Sequence, residues 1–318
     1  MKRAPSERTA RFVWIAALTL AAGIFCGRPL PACTLWGAAG ERVAGGGTLV
    51  AKNRDWAPDH RQALSIVRPK KGYASVVLTA IGGAAPGTKA GVNEKGLVIV
   101  SATASQVPAA DRRRAEPKKS RITHLLARCA GVEEVLRQID VLDRPVFYLL
   151  GDSKEIAVIE VAPDGGRSIS RTDSGALHHT NHYVAIDPPG LARRPSASSR
   201  TRFERILELL ENTHRPYSAE DFIRFSEDRH AGPDNSIWRS GSDPFKRRTL
   251  AAWIVSVPAG SGPQLYIKLA NPGEAERVCR IDVAAALQAP GRSDRDGAEA
   301  LCTPPAPQPC APGLTQAP

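Results

Sequence analysis

The pattern of apolar positions along the chain first predicts a series of short β-strands. Apolar residues gather in runs of about five to eight, and turn-forming residues separate the runs. The segment 91–96, GVNEKG, is typical of a turn between two strands, because glycines flank its Asn-Glu pair. The predicted strands cover residues 48–52, 64–68, 75–80 and 97–102, then 146–150, 156–161 and 176–180, and finally 250–257 and 264–269.

Helical spacing of apolar residues interrupts the strand pattern at three places. Strands followed by helices and then by strands again favour an α+β fold, in which helices cover antiparallel sheets, over alternating βαβ units. No internal repeat is present, and residues 33–287 are predicted to form one domain. The helical positions are Ile122, Leu125, Leu126 and Cys129, then Val132, Val135, Leu136 and Ile139, then Ile206, Leu207 and Leu210 in a stretch that begins near Ser199.

The start of the chain has the three parts of a secretory signal. A basic stretch precedes an apolar run over residues 13–25, and Leu30 and Ala32 occupy the −3 and −1 positions before Cys33. The apolar run is shorter than the roughly 20 residues that a membrane span needs. We therefore expect residues 1–32 to be removed and the protein to be secreted or periplasmic. An uncleaved anchor, and lipidation of Cys33 within the segment 30–33 (LPAC), remain alternatives.

The end of the chain, residues 288–318, is rich in proline and alanine. Such a composition buries too little apolar surface to offset the entropy lost on ordering, so this segment is predicted to be a disordered tail. Beyond Cys33, the remaining cysteines after the leader are Cys129, Cys279, Cys302 and Cys310. The odd total in an exported protein predicts one free thiol, for which Cys33 is the candidate, and one disulfide among the last three.

The net charge of the chain says little about its fold or function. Without the leader, 38 basic and 31 acidic residues remain, a formal charge of +7. This excess aids solubility and attracts anions without specifying a fold. The basic segment 111–121 contains no aromatic residue and is interpreted as a solvated loop. Neither a nucleic-acid partner nor a stable membrane span is expected, and the sequence leaves the oligomeric state undetermined.

A cysteine that begins a chain has its own base. The free α-amine has a reference pKa of about 7.7 to 8.0, close to that of the thiol at about 8.5, and it lies within reach of the sulfur. It can therefore take the thiol proton without a histidine. Such a site also needs an acceptor to orient the amine, donors for an oxyanion, and positive charge to favour the thiolate. Removal of the leader before Cys33 would create this arrangement.

Five motifs in order resemble the N-terminal-nucleophile (Ntn) amidases. The relevant relatives are the choloylglycine hydrolases with the penicillin V acylases, and the isopenicillin N acyltransferase-like group. The resemblance covers most of residues 33–272, and it implies a four-layer αββα sandwich of two antiparallel sheets. The motifs are Cys33-Thr34, Asn53-Arg54-Asp55-Trp56, the segment 91–97 (GVNEKGL), Thr180-Asn181-His182, and the segment 199–203 (SRTRF).

The resemblance also implies a role for four residues. Cys33 would be the nucleophile, and Asp55 would accept a hydrogen bond from its amine. Asn181 would donate its side-chain amide to the oxyanion, and Arg202 would lie near the thiol and lower its pKa. Taken singly, an aspartate after Asn-Arg is often only a turn residue, so the order of the motifs carries the interpretation.

Two positions depart from the choloylglycine hydrolase pattern. Lys52 stands where those enzymes have an arginine, and lysine lacks the planar fork that binds a carboxylate through two hydrogen bonds. Thr103 stands where a second asparagine assists the oxyanion. These differences favour the acyltransferase-like branch over bile-salt hydrolysis.

Other chemistries have little support in the sequence. His178 and His182 are four residues apart, but in a predicted strand or loop this spacing does not bring them to one face, and no zinc-binding motif accompanies His179. No metal and no cofactor are therefore expected. The function predicted is a cysteine amidohydrolase that cleaves a linear amide of a small molecule or small peptide through an acyl-enzyme. An acyltransferase with the same site, and a non-catalytic envelope lipoprotein lipidated on Cys33, remain alternatives.

Overall fold

The computed structural model describes residues 32–83, 85–114, 120–191 and 193–289, with the side chains of residues 113 and 114 excepted. The predicted leader, apart from its last residue, and the predicted tail from residue 290 onward lie outside the described residues. The described chain forms two antiparallel sheets that pack face to face and have helices on their outer faces. This is the α+β, four-layer αββα arrangement that the sequence and its resemblance predict.

The first sheet contains six strands in the order β10-β1-β2-β11-β12-β13, and we name it sheet 1. Strands β1 and β2 lie beside each other in its interior, where every residue of both is buried. The strands span Ala32–Ala39 (β1), Thr48–Trp56 (β2), Gly175–His179 (β10), Arg248–Val257 (β11), Gln264–Leu269 (β12) and Arg277–Asp282 (β13).

The second sheet, sheet 2, contains seven strands that follow one another in sequence order from β3 to β9. Each strand pairs antiparallel with the next, so short connections suffice. The strands span Arg61–Val67 (β3), Ser75–Ile81 (β4), Gly87–Asn93 (β5), Val98–Thr103 (β6), Val146–Gly151 (β7), Ile156–Val161 (β8) and Arg167–Thr172 (β9).

Helices supply the two outer layers. Helices α4 and α5 pack their apolar faces on sheet 1, and α2 and α3 pack on sheet 2. No helix within the described residues is long and apolar enough to cross a membrane. The helices span Ala109–Arg114 (α1), Arg121–Arg128 (α2), Val132–Arg137 (α3), Ala197–Glu211 (α4), Ala219–Ser226 (α5), Gly232–Asn235 (α6) and Val283–Gln288 (α7), with 3-10 turns at Gly40–Arg42 and Ile139–Val141.

The apolar runs predicted as strands all lie on strands, and the three helical stretches lie on α2, α3 and α4. The pattern missed four strands, β1, β5, β9 and β13, and four helices, α1, α5, α6 and α7. It also placed the turn too early, because residues 91–93 still belong to β5. The segment 111–121, expected to be a loop, contains the end of α1, and residues 115–119 of it lie outside the described residues.

The segment 91–97 joins sheet 2 to helix α2 through Asn93. The side-chain amide of Asn93 donates to the carbonyls of Leu126 and Cys129 at 2.8 Å each, at the end of helix α2. Its Oδ1 accepts from the backbone N–H groups of Lys95 and Leu97 at 3.0 Å. A Cβ at Gly91 would lie 2.4 Å from Leu126, so glycine permits the helix to approach. This motif therefore has a structural role.

The pairing of β1 with β2 sets the positions of the first two motifs. Cys33 lies opposite Arg54, and Ala32 lies opposite Asp55. Because side chains alternate between the faces of a strand, Cys33 packs with the core between the sheets, while Thr34 is buried on the opposite face. The thiol thus lies at the end of the inter-sheet layer.

Candidate active site

The thiol of Cys33 is buried, at 1% exposure, and carries no disulfide. The Arg54 guanidinium nitrogen Nη1 lies 3.9 Å from its Sγ, and the backbone oxygen of Asp55 lies 4.0 Å from it. Burial alone would raise the pKa of this thiol, but the positive charges of Lys52 and Arg54 outweigh burial and lower it. The site therefore favours the thiolate, the form that acts as a nucleophile.

The backbone of Cys33 is held on both sides. Its nitrogen, which is a peptide amide in the full-length chain, donates to Oδ1 of Asn181 at 2.6 Å. Its carbonyl oxygen accepts from Nη1 of Arg202 at 2.6 Å, and the same nitrogen donates to the Thr34 hydroxyl at 2.9 Å. These contacts bring together the first, fourth and fifth motifs of the sequence.

Asn181 connects these groups to sheet 2. Its Oδ1 also accepts from Nη2 of Arg202 at 3.1 Å, and its Nδ2 donates to the backbone carbonyl of Thr103 at 2.9 Å. The amide expected to meet an oxyanion is thus bound to Thr103 in the full-length chain. Thr103, one of the two positions that depart from the family pattern, lies beside this amide through its backbone.

Arg202 lies against the backbone of Cys33. Within the described residues it donates hydrogen bonds to Cys33, Thr34, Asn181 and Ser198 and none to the thiol. Burial lowers its pKa to about 10, against which the charge of Asp55 acts. Lys52 and Arg54 are the positive groups that lower the thiol pKa. The geometry therefore gives Arg202 a positioning contact with the backbone of Cys33, in addition to an electrostatic attraction to its thiol.

Asp55 lies on the opposite face of β2 from the thiol. Its Oδ1 accepts from the Thr249 hydroxyl at 2.8 Å. Its Oδ2 has no hydrogen-bond partner within the described residues and lies 3.9 Å from Nη1 of Arg239. Burial raises the pKa of this carboxyl, and the charges of Arg239 and Arg202 oppose the rise. The carboxylate has a free acceptor oxygen, and in the full-length chain the Cys33 nitrogen is bound to Asn181 instead.

Lys52 is buried beneath the site. Its ammonium donates to the backbone carbonyl of Lys89 at 2.8 Å and to that of Ser101. Burial lowers its pKa to about 8, with a further contribution from Arg54 and an opposing one from Cys33. Lys52 therefore acts on the thiol as a charge held by backbone carbonyls, with its donors turned toward sheet 2.

Residues 180–182 are tied to the start of helix α4. The Ser199 hydroxyl accepts from the backbone N–H of Asn181 at 3.0 Å and contacts Nδ1 of His182 at 2.9 Å. Ser196 caps this helix, and its first turns place Ser199 and Arg202 on the same buried side, three residues apart. The fourth and fifth motifs therefore form one unit.

A buried carboxylate, Glu160, supports the same loop and was not found from the sequence. Its Oε1 lies 2.8 Å from Nε2 of His179 and accepts from the backbone N–H of Val184 at 2.7 Å, and Oε2 accepts from Ile186 at 3.1 Å. Burial raises its pKa, but the bonds from His179 and these backbone groups outweigh burial and lower it. A glutamate within an apolar run, IAVIEVA, was the available signal.

The neighbouring histidines His178, His179 and His182 contact other side chains of the protein. The ring of His178 packs on Phe203, with the two ring centres 4.3 Å apart, and His179 is bound to Glu160. Burial lowers the pKa of both His178 and His182 to about 4, so both are neutral near pH 7. Among the residues that the structure describes, no group of three or more histidine, cysteine, aspartate or glutamate side chains is placed to hold a metal ion.

Comparison with known proteins gives a family and a fold. The model of the family described as acyl-coenzyme A:6-aminopenicillanic acid acyl-transferase matches residues 43–274. A mutant of the conjugated bile acid hydrolase from Clostridium perfringens is similar in structure, with a TM-score of 0.50 and 14% sequence identity, over 79% of this chain and 92% of that chain. The shared fold is the αββα sandwich of the Ntn hydrolases.

A second similar structure is the N-acylethanolamine-hydrolyzing acid amidase ortholog from Caenorhabditis elegans. Its TM-score is 0.48 at 12% identity, over 72% of this chain and 94% of that chain. No protein of curated function is significantly similar in sequence.

Proposed function

Since this chain belongs to the acyl-coenzyme A:6-aminopenicillanic acid acyl-transferase family, we propose that it is an exported Ntn amidase that cleaves a linear amide bond with Cys33 as its nucleophile. The family assignment supports an enzyme that acts on amide carbon–nitrogen bonds. The observation that carries the proposal is the surroundings of Cys33. Its thiol pKa is lowered by Lys52 and Arg54, while Asn181 and Arg202 hold its backbone nitrogen and carbonyl.

The first half of the reaction forms an acyl-enzyme. The Cys33 amine takes the thiol proton, and the sulfur attacks the amide carbonyl carbon, forming a C–S bond and an oxyanion. When the C–N bond breaks, the protonated Cys33 amine gives its proton to the leaving amine. The free Oδ2 of Asp55 is the acceptor that would orient the Cys33 amine, since it has no other hydrogen-bond partner within the described residues.

The oxyanion needs donors that meet it as its charge develops. Nδ2 of Asn181 supplies one after it leaves the carbonyl of Thr103. Release of the leader changes the peptide nitrogen of Cys33 into an amine. Oδ1 of Asn181, which accepts from that nitrogen in the full-length chain, then faces a different donor. In the second half, the Cys33 amine takes a proton from water, and the resulting hydroxide oxygen attacks the thioester. The C–S bond then breaks, the protonated Cys33 amine returns its proton to the departing sulfur, and the products are a carboxylic acid, which ionises, and the regenerated thiol.

Acyl transfer is a second candidate, favoured by the description of the matched family. It uses the same residues, with an acceptor amine in place of water in the second half. The two functions differ in what resolves the acyl-enzyme. Adding increasing concentrations of a second amine to the reaction separates them, because a transferase diverts acyl groups into a new amide while a hydrolase keeps releasing the carboxylate.

The N-terminus of the exported protein is the next point to establish. The mechanism needs a free Cys33 amine and thiol, which cleavage by an ordinary signal peptidase would provide. A diacylglyceryl group on the thiol, detected by mass spectrometry of the purified N-terminal peptide, would instead support the lipoprotein alternative and end the amidase proposal.

The test of the proposed function uses the purified processed protein with a panel of N-acyl amides and measures released amine. Cys33→Ala should abolish release while the protein stays folded, because it removes the attacking sulfur. Cys129→Ala is the matched control, since Cys129 is the other free thiol among the described residues and lies in the core under sheet 2. An active Cys33→Ala protein, or an inactive and folded Cys129→Ala protein, would contradict the assignment of the nucleophile.

A further inference from the structure

Buried positive charge exceeds buried negative charge around the thiol. The buried residues Lys52, Arg54, Arg202 and Arg247 all act on Cys33 electrostatically. Among the described residues, the buried carboxylate that acts on Cys33 is Asp55, from the other face of β2.

The other buried carboxylates of the described chain are already paired. Glu160 is bound to His179, and Asp221 forms ion pairs with Arg215 and Arg224. Within the described residues, Asp55 is therefore the one buried carboxylate near several buried positive charges around Cys33. Uncompensated buried charge costs free energy, and where it persists it points to a partner that arrives during function.

Two of these arginines share one aromatic surface. The guanidinium carbon of Arg54 lies 4.3 Å from the centre of the Trp56 ring, and that of Arg247 lies 5.2 Å from it. Trp56 ends strand β2, two residues after Arg54, so both side chains are on the same face as the thiol. Stacking on an aromatic ring fixes the plane of a guanidinium and leaves its edge N–H groups available.

Several N–H groups of these two guanidinium edges have no hydrogen-bond partner within the described residues. Within the described chain, Nε and Nη2 of Arg54 and Nε and Nη1 of Arg247 are buried and make no hydrogen bond. Both residues are more than nine-tenths buried, at 2% and 7% exposure. Nη1 of Arg54 is occupied by the thiol and by the backbone oxygen of Asp55, at 3.2 Å from the latter. Stabilising the thiolate therefore accounts for one nitrogen of Arg54 and for none of Arg247.

The charge on Arg247 is destabilised in this setting. Burial, together with repulsion from Arg239 and Arg54, lowers its pKa to about 10, against the attraction of Cys33 and Asp55. A guanidinium surrounded by like charges, with unmade hydrogen bonds, gains most from an incoming anion.

We propose that Arg54 and Arg247, stacked on Trp56 beside Cys33, form a subsite for a carboxylate carried by the amide substrate. The inference rests on the proposed amidase function and adds its substrate class, an anionic acyl amide. A carboxylate fits because its two oxygens match the paired N–H groups of a guanidinium edge. The subsite lies one side chain from the sulfur, so the carboxylate belongs near the scissile bond.

The experiment compares amides that differ only in charge. N-Octanoylglycine and N-octanoylglycinamide place a carboxylate or a neutral amide on the leaving amine. N-Butyl adipamic acid and its terminal primary amide do the same on the acyl side. We expect the processed protein to prefer the anionic member of one pair by roughly 10- to 100-fold in kcat/KM, the range of a charged hydrogen bond in a buried site. The pair that shows the preference identifies the side.

Arg247→Gln should reduce this ratio to near one, and Arg247→Lys should keep part of it, because lysine retains the charge without the fork. Arg229→Gln is the matched control, since Arg229 also stacks on a tryptophan, at 5.6 Å from the Trp238 ring centre, but is exposed. It should keep the full preference. Arg247→Gln should not lower the melting temperature, because it removes an unpaired buried charge.

The outcomes separate this proposal from the amidase proposal. Equal kcat/KM within both pairs, or an equal loss on both members in Arg247→Gln, would overturn the subsite and leave the amidase in place. If no amide is cleaved, calorimetry measures binding of the same four amides to the same proteins. Tighter binding of a carboxylate member that depends on Arg247 would then support the subsite without the amidase. Equal or absent binding would overturn it.

Discussion

At the residue scale, the pKa of the Cys33 thiol depends on which of two opposing effects is larger. Burial disfavours the thiolate, and the nearby charges of Lys52 and Arg54 favour it. The charges are effective because the surroundings exclude water, so little screening weakens them. The same exclusion of water raises the free-energy cost of a cation that has no partner. The buried cations here therefore contact other groups: Lys52 a backbone carbonyl, Arg54 the Trp56 ring, and Arg239 the carboxylate of Asp55.

The electrostatic account predicts the pH dependence of alkylation at Cys33. Lys52→Met removes a positive charge that lowers the thiol pKa, so the pKa should rise and reaction of the processed protein with iodoacetamide should require a higher pH. Rates measured between pH 5 and 10 give the midpoint of the profile.

Arg202→Gln provides the comparison for this prediction. Arg202 contacts the Cys33 carbonyl and makes no hydrogen bond to the sulfur, so its loss should move the alkylation midpoint less than Lys52→Met does. A larger shift at Arg202 would restore the role that the family resemblance implied. An unchanged midpoint in Lys52→Met would show that burial, and not charge, controls this thiol.

At the scale of secondary-structure elements, the motifs divide into those that hold the site and those that hold the layers together. Residues 180–182 and helix α4 are joined through Ser199, and together they carry Asn181 and Arg202 to β1. Asn53 binds the carbonyls of Ser226 and Ile237 and so fastens β2 to the helical layer. Adjacent residues of one motif therefore serve different purposes, since alternate side chains of a strand face opposite layers.

A substitution at Asn93 tests whether the segment 91–97 serves structure and not chemistry, because the four hydrogen bonds of its side chain join the turn after β5 to the end of helix α2. Asn93→Ala should lower the free energy of unfolding by roughly 2 to 4 kcal/mol, since it leaves two buried carbonyls and two backbone N–H groups without partners. At a temperature where the variant is folded, kcat should stay close to that of the parent.

Urea unfolding and kcat measured on the same preparation check this prediction. Glu94→Gln, at an exposed position in the same turn, should change neither quantity appreciably. A folded Asn93→Ala protein that has lost most of its kcat would mean that the segment 91–97 contributes to the chemistry.

At the scale of the whole molecule, the proposed mechanism implies that the full-length chain carries its site in an inactive form. The Cys33 nitrogen is in a peptide bond with Ala32, and Ala32 is itself a buried member of β1, paired opposite Asp55. Sheet 1 is therefore complete before any cleavage. If the proposed mechanism holds, activation needs the loss of the residues before Cys33 and no refolding of sheet 1.

Retention of a single residue before Cys33 should consequently abolish turnover. A protein that begins at Ala32 and resists trimming keeps the thiol and every surrounding charge but has no free amine on Cys33. The expected result is normal folding, measurable alkylation of Cys33 and no amide cleavage, compared with a protein that begins at Cys33. Amine release at the parental rate by the chain that begins at Ala32, with its N-terminus verified by mass spectrometry, would exclude the amine as the base.

The leader and the tail belong to the same scale. Export, cleavage before Cys33 and the disordered tail over residues 288–318 stay predictions, because they fall largely outside the described residues. The disulfide prediction is only partly tested: Cys279 is disulfide-bonded, and Cys129 is free.

The sequence by itself determined the class of fold and the identity of the motifs. Apolar runs mark strands and helices because burial imposes a period of 2.0 or 3.6 on the chain, and the ordered motifs gave the family. Strands with alternating or polar character, such as β9 and β13, escaped because they leave much of their length exposed, so burial imposes little pattern on them. Burial on both faces did not suffice everywhere, since strand β1, whose residues are all buried, was not predicted either.

Only the tertiary structure decided which groups meet. Thr249 reaches Asp55 from 194 residues away, and Arg202 reaches Cys33 from 169. Glu160 and Arg247 lie outside all five sequence motifs. Such contacts depend on the register between strands and on the packing of helices over sheets, which long-range burial sets and no local pattern records. Sequence named the nucleophile candidate, and the packing of the two sheets decided which charges surround it.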